Sequence, residues 1–176
     1  MDIGLVIGKK NSIGVPGKNT RIIVGRPAAE YAFIAGSSAS LDKIYVSTDS
    51  DEIALIGGKY NAIHIERPAE LATPESLTED VLTHAYEFIK KDNLENEIKT
   101  ISLLFCNNPA INVNLLKDAI NFTKNTTEYD SCFSIVKYDM FSPARARRIL
   151  DTGEMKPFVD LQHLDNVSSI RDSTGS

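Results

Sequence analysis

Short apolar runs alternate along the chain with longer segments in which apolar residues recur at helical spacing. Residues 3–7 (IGLVI), 43–47 (KIYVS), 62–66 (AIHIE), 100–106 (TISLLFC) and 131–136 (SCFSIV) have the length and content of buried strands. Helices are predicted between them. One spans 27–38 and opens on Pro27, a residue tolerated at a first helical position. A second begins at DSDE, where Asp49 can cap and Glu52 can reach back. A third covers 77–91 behind a similar box of Ser76 and Glu79, with Leu77, Val81, Leu82, Ala85, Phe88 and Ile89 on one face. A fourth runs over about 113–124. Strict alternation of strand and helix predicts an α/β fold: a three-layer α/β/α sandwich around a mostly parallel sheet. In such sheets a ligand binds beyond the carboxyl ends of the strands. Past Val136 the pattern dissolves into irregular, charge-mixed sequence, so we expect an α/β domain over 1–140 and an irregular segment over 141–176.

Charge sharpens this picture. The 176 residues carry a formal charge of −5, which speaks against a general nucleic-acid binder. Yet no acid occurs between Asp2 and Glu30, while Lys9, Lys10, Lys18, Arg21 and Arg26 all fall there. A local cation excess in an acidic protein points to a small anionic ligand. The N-terminus lacks the pattern of a signal peptide, and no run approaches the roughly 20 apolar residues of a membrane span. The expected location is therefore the cytoplasm, with no membrane partner. Cys106 and Cys132 form no C-x-x-C motif and only three histidines are present, so no zinc site is expected. Both cysteines read as reduced core residues and His64 and His84 as structural.

The cations cluster in a glycine-lysine loop directly after the first strand, GKKNSIGVPGKN over 8–19. Glycine lets a backbone approach phosphate closely, and lysine neutralises its charge. Neither G-x-G-x-x-G nor a Walker A loop is present, so composition alone leaves open a solvated loop with incidental lysines.

Three blocks in order, VIGKKNSIGVPGKN, VSTDSDEIA and ERPAELATPES, resemble the cytidylyltransferases that activate sugar acids, the CMP-sialic acid and CMP-Kdo synthetase group. Family members carry A-R-x-x-S-K-G-x-P-x-K-N after the first strand, then V-S-T-D, then R-P-x-E-L-A. The resemblance covers roughly the first 90 residues and is looser from Thr100 on. It implies that the anomeric hydroxyl of a 3-deoxy-2-ulosonic acid attacks the α-phosphate of CTP, giving pyrophosphate and a CMP-sugar for lipopolysaccharide or capsule synthesis. Lys18 matches the lysine on the triphosphate, and Lys9 takes the place of an arginine, keeping charge without the planar fork. Gly8, Lys10, Ser12, Gly17 and Asn19 complete the implied nucleotide loop. Arg67 matches the arginine of R-P-x-E-L, and Ser76 with Thr78 falls where the cytosine edge is read. Plainer roles stand beside these: Arg67 pairing with Glu70, Ser76 capping its helix, and Ser47–Asp49 serving as strand exit and cap.

Departures limit the parallel. Phe105 replaces a glutamine that touches the sugar, which argues against N-acetylneuraminate as substrate. Asn107 stands where Kdo-type members have a magnesium-binding aspartate, and a neutral oxygen is a poor principal ligand. Sialic-acid-type members take carboxylates from a later segment. The Mg²⁺ ligands are thus expected outside this chain, which alone should bind CTP and turn over poorly. Arg145, Arg147 and Arg148 could receive the sugar carboxylate, line a homodimer interface or be solvated; Arg171 is a further carboxylate candidate. Two other functions stay open: a nucleotidyltransferase using another base or sugar, and a non-catalytic nucleotide-binding domain.

Overall fold

In the computed structural model, which describes residues 1–12, 14–135 and 146–158, four of the expected strands join one parallel sheet. The elements are β1 Asp2–Ile7, β2 Ile22–Ile23, β3 Arg26–Pro27, α1 Ala28–Ser38, β4 Lys43–Thr48, α2 Asp51–Gly58 and β5 Ile63–Glu66. A single 3₁₀ turn, Ala69–Leu71, precedes α3 Thr78–Asp92, β6 Thr100–Phe105 and α4 Val113–Asn125. The sheet order is β5-β4-β1-β6, with Val6 level with Val46 on one side and Leu104 on the other.

Alternation along β1 sorts the core into two halves. Ile3, Leu5 and Ile7 pack with Tyr45 and Ile65 against Ala85 and Ile89 of α3. Val6, Ile44, Val46 and Leu104 face the other way, toward Ala29, Ala32 and Phe33 of α1 and Ile53 and Ile56 of α2, with Leu116 of α4 alongside. Helices thus cover both faces of the sheet, as the near-continuous apolar strands require. This is the three-layer α/β/α architecture expected from the alternation.

The chain separates into two compact units, Met1–Phe133 and Ser134–Ser176. Among the described residues of the second is an antiparallel hairpin, β7 Arg147–Ile149 with β8 Met155–Pro157, turning through Gly153 at φ +81°.

Several local expectations need correction. Residues 131–135 form no strand: a short apolar run becomes one only where a neighbouring edge accepts its backbone groups, and here none does. Phe133 and Ile135 are exposed, and so is Cys132, which is therefore no core residue; Val136 lies outside the described residues. Helix α2 is capped by Ser50, whose Oγ accepts from the Ile53 amide, and not by Asp49. No side chain caps α3, because the Ser76 hydroxyl is engaged elsewhere. The buried stripe of α3 is narrower than its apolar sequence: Val81, Ala85 and Ile89 are inside, while Leu77 and Phe88 reach solvent.

Candidate nucleotide site

The four parallel strands end on the same side, and the segments that follow β1, β5 and β6 meet there. At the first, the Gly8 amide donates to the Ser47 carbonyl at 3.3 Å and continues the ladder one residue past β1. A Cβ on Gly8 would lie 2.5 Å from Cys106 Sγ and 2.8 Å from its Cβ, so only glycine fits without movement. Gly17, at φ +65°, turns the loop back, and its carbonyl accepts from the Thr20 and Arg21 amides. Asn19 then closes the loop. Buried to 5% exposure, its Nδ2 donates to the Lys9 carbonyl at 2.9 Å, while its own carbonyl accepts from the Ala29 amide of α1.

The second segment follows β5. The Arg67 amide donates to the Thr48 carbonyl, and its Nη2 donates to the Ser47 carbonyl at 2.7 Å. This arginine is only 7% exposed and does not pair with Glu70, the surface partner that local sequence suggested. Burial pulls its pKa below the ordinary value, with Asp49 opposing. Beyond it, the Ser76 hydroxyl donates to the Glu70 carbonyl at 2.7 Å and accepts from the Thr73 amide at 3.1 Å. Lys9 Nζ reaches the Thr73 carbonyl at 3.4 Å, bridging the first and second segments. The third segment leaves β6 through Phe105, Cys106 and Asn107. Burial pushes the Cys106 thiol up to about 12, so it stays protonated at neutral pH.

Between these segments lies a cavity of ≈ 190 Å³. Its lining brings together nine residues singled out from sequence: Gly8, Lys9, Lys18, Asn19, Arg67, Ser76, Thr78, Phe105 and Asn107. Ile7, Leu71, Thr73 and Val81 also line it; Leu71 and Thr73 belong to the ERPAELATPES block, of which the sequence reading singled out only Arg67, Glu70 and Ser76. Lys10, Ser12 and Gly17 are in the same loop but not in the lining. Arg147 is on β7 in the second unit, and Arg145 and Arg171 lie outside the described residues.

Chemically, the lining pairs three cations with hydroxyls, amides and an apolar side, and no carboxylate. That suits an anion attached to a flat or apolar group. The volume is below the roughly 300–1,000 Å³ of most ligand pockets, so it would grip part of a larger molecule. Magnesium is a different matter. Mg²⁺ needs hard, mostly anionic oxygens, whereas the lining offers Asn107, and among the described residues no cluster of metal-ligating side chains occurs. The described residues do not fit a Mg²⁺ site.

Known proteins resemble this chain in sequence and in fold. The chain is 24% identical over 162 residues to N-acylneuraminate cytidylyltransferase of Escherichia coli, an alignment covering 92% of this chain and 37% of that protein. It is 28% identical to CMP-N,N′-diacetyllegionaminic acid synthase of Legionella pneumophila, over 99% of this chain and 75% of the relative. The chain thus spans little more than a third of the first relative and three quarters of the second. Among solved structures, CMP:2-keto-3-deoxy-manno-octonic acid synthetase complexed with CTP superposes at a TM-score of 0.55 and 17% identity, over 70% of this chain and 47% of that one. A nucleotidyl transferase from Methanothermobacter gives 0.52 at 16% identity, over 69% and 57% respectively. These two share the fold. The family model described as cytidylyltransferase matches residues 3–163, and on that match the chain belongs to the cytidylyltransferase family.

Proposed function

We propose that this chain carries the nucleotide site of an enzyme that transfers CMP from CTP to a sialic-acid-like 3-deoxy-2-ulosonic acid. The observation that carries the reading is the convergence of Lys9, Lys18 and Arg67 on one carboxylate-free cavity at the carboxyl ends of the sheet. In the reaction, the anomeric hydroxyl oxygen bonds to the α-phosphorus, the bond to the β-phosphate oxygen breaks, and pyrophosphate leaves while the hydroxyl proton passes to solvent. Such transfers ask the protein mainly to position groups and stabilise charge. Lys9 and Lys18 neutralise the triphosphate, and Arg67, its fork already fixed on Ser47, offers its remaining donors without reorganising. Ser76 and Thr78 stand where the cytosine edge would be read, and Asn19 beside the nucleotide sugar.

For the acceptor, Phe105 puts an exposed ring on the cavity wall. An aromatic wall favours a sugar acid carrying an added acetyl or methyl group over N-acetylneuraminate, in line with the diacetyllegionaminic relative. The proposal extends to a cytoplasmic homodimer serving surface-glycan synthesis, any Mg²⁺ being held by ligands other than the described residues; among these no helix is long and apolar enough to cross a membrane. Calorimetric titration with CTP, UTP, ATP and GTP, followed by pyrophosphate release with candidate sugar acids, tests the reading. Preference for CTP supports it, with weak release the result expected of this chain alone. Preference for another nucleotide would move the protein to a different substrate, and binding of none of the four would refute the reading.

A further inference from the structure

The S-T-D sequence at the end of β4 has an unassigned member. Thr48 Oγ1 accepts from the Ser50 amide, and Ser50 Oγ caps α2, so neither the turn nor the helix uses the Asp49 carboxylate. Its Oδ1 instead accepts from the Lys10 amide at 2.8 Å, across 39 positions of sequence. The carbonyl on the other side of that same peptide bond, Lys9 C=O, accepts from Asn19 Nδ2 at 2.9 Å. One peptide unit, between Lys9 and Lys10, is therefore held from both ends by side chains.

Asn19 lines the cavity and Asp49 does not. From this we propose that Asp49 is a positioning residue: by fixing the Lys9–Lys10 peptide plane, it aims the Lys9 side chain along the cavity wall toward Thr73. A peptide plane held at only one end can rotate about its flanking single bonds, and the direction of the Lys9 Cα–Cβ bond rotates with it. Free rotation would spread a long, flexible lysine over many positions, and ordering it on the ligand would then weaken binding. Asp49 also places one fixed negative charge beside Arg67, easing the mutual repulsion of the cations while the cavity is empty of anion.

The inference rests on the CTP reading for its consequence but not for the contact itself, and two readouts separate them. Amide exchange at Lys10 in the ligand-free protein reports the clamp; calorimetry with CTP reports its effect. Asp49→Ala should speed Lys10 exchange at least about tenfold and weaken CTP binding by about tenfold, the size of one hydrogen bond to a charged group. Asp49→Asn keeps an acceptor oxygen and loses the charge. Since removing a negative charge favours an incoming anion, charge alone predicts equal or tighter CTP binding in both variants. Slow Lys10 exchange and near-native affinity in Asp49→Asn, with both lost in Asp49→Ala, is the expected result. Unchanged Lys10 exchange in Asp49→Ala would overturn the clamp, and unchanged affinity despite fast exchange would overturn its positioning role. Absence of CTP binding in the unaltered protein, with the exchange pattern as expected, would refute the CTP reading and leave the clamp standing.

Discussion

Adding one methyl group to Gly8 tests how tightly the cavity floor is built. In Gly8→Ala the new carbon would stand 2.5 Å from Cys106 Sγ, 2.8 Å from Cys106 Cβ and 3.3 Å from Asn19 Nδ2. Carbon and sulfur normally approach no closer than about 3.5 Å, so roughly 1 Å of movement must come from β1, from the segment after β6, or from both. Overpacking of this kind costs about 1–3 kcal/mol. Residue 8 sits between the Ser47 carbonyl and Asn19, so the movement also disturbs the loop that carries Lys9 and Lys18. Urea unfolding should show a lowered midpoint at unchanged slope, and calorimetry a weaker CTP affinity. Cys106→Ala alone should cost about 1 kcal/mol or less through a small cavity. In the double variant the two losses should add to less than their sum, because removing Sγ makes room for the new methyl group. An unchanged urea midpoint in Gly8→Ala, or strict additivity in the double variant, would refute the argument.

Other expectations follow from single contacts. Lys18→Ala should weaken CTP binding by about 1–3 kcal/mol, the loss of a charge-assisted bond, and unchanged affinity would reassign Lys18 to solvated surface. The Tyr45 hydroxyl and the Lys43 ammonium hold Asp92 below its ordinary 3.8, so its stabilising contribution is present above that value and fades as pH falls through the lowered one. The urea midpoint difference between wild type and Asp92→Ala should accordingly shrink when unfolding is repeated near pH 3. Native protein should take up one equivalent of a thiol reagent, at exposed Cys132, while buried Cys106 reacts only on unfolding; two rapid equivalents would show that the cavity floor opens.

Much of this protein is legible from periodicity because hydrophobic spacing reports which face is buried. Ile3, Leu5 and Ile7 against Val6 show both faces of a covered strand. The place of the glycine-lysine loop is likewise readable: it directly follows the first strand, and the structure sets it at that strand's carboxyl end. What escaped was the choice of partner among side chains with equal local options. Asp49 and Ser50 can each cap α2; the amide of Lys10, remote in sequence, settles the matter by engaging Asp49. Arg67 has Glu70 one helical turn away, yet burial under the loop hands its guanidinium to Ser47. Ser76 looks like a cap and instead ties down its own turn through Glu70 and Thr73. Residues 131–135 are as apolar as a strand, but an apolar run says nothing of whether an edge is there to receive it. Within the loop, charge alone marks Lys9, Lys10 and Lys18 alike; the family resemblance singles out Lys9 and Lys18, and those are the two in the cavity lining.

CTP is proposed to lie in the cavity between the segments that follow β1, β5 and β6. Determining the crystal structure of the protein soaked with CTP tests it most directly. Triphosphate oxygens are expected within hydrogen-bond distance of Lys9 and Lys18, with the cytosine edge against Ser76 and Thr78. A nucleotide bound on another surface, with these side chains unengaged, would contradict it.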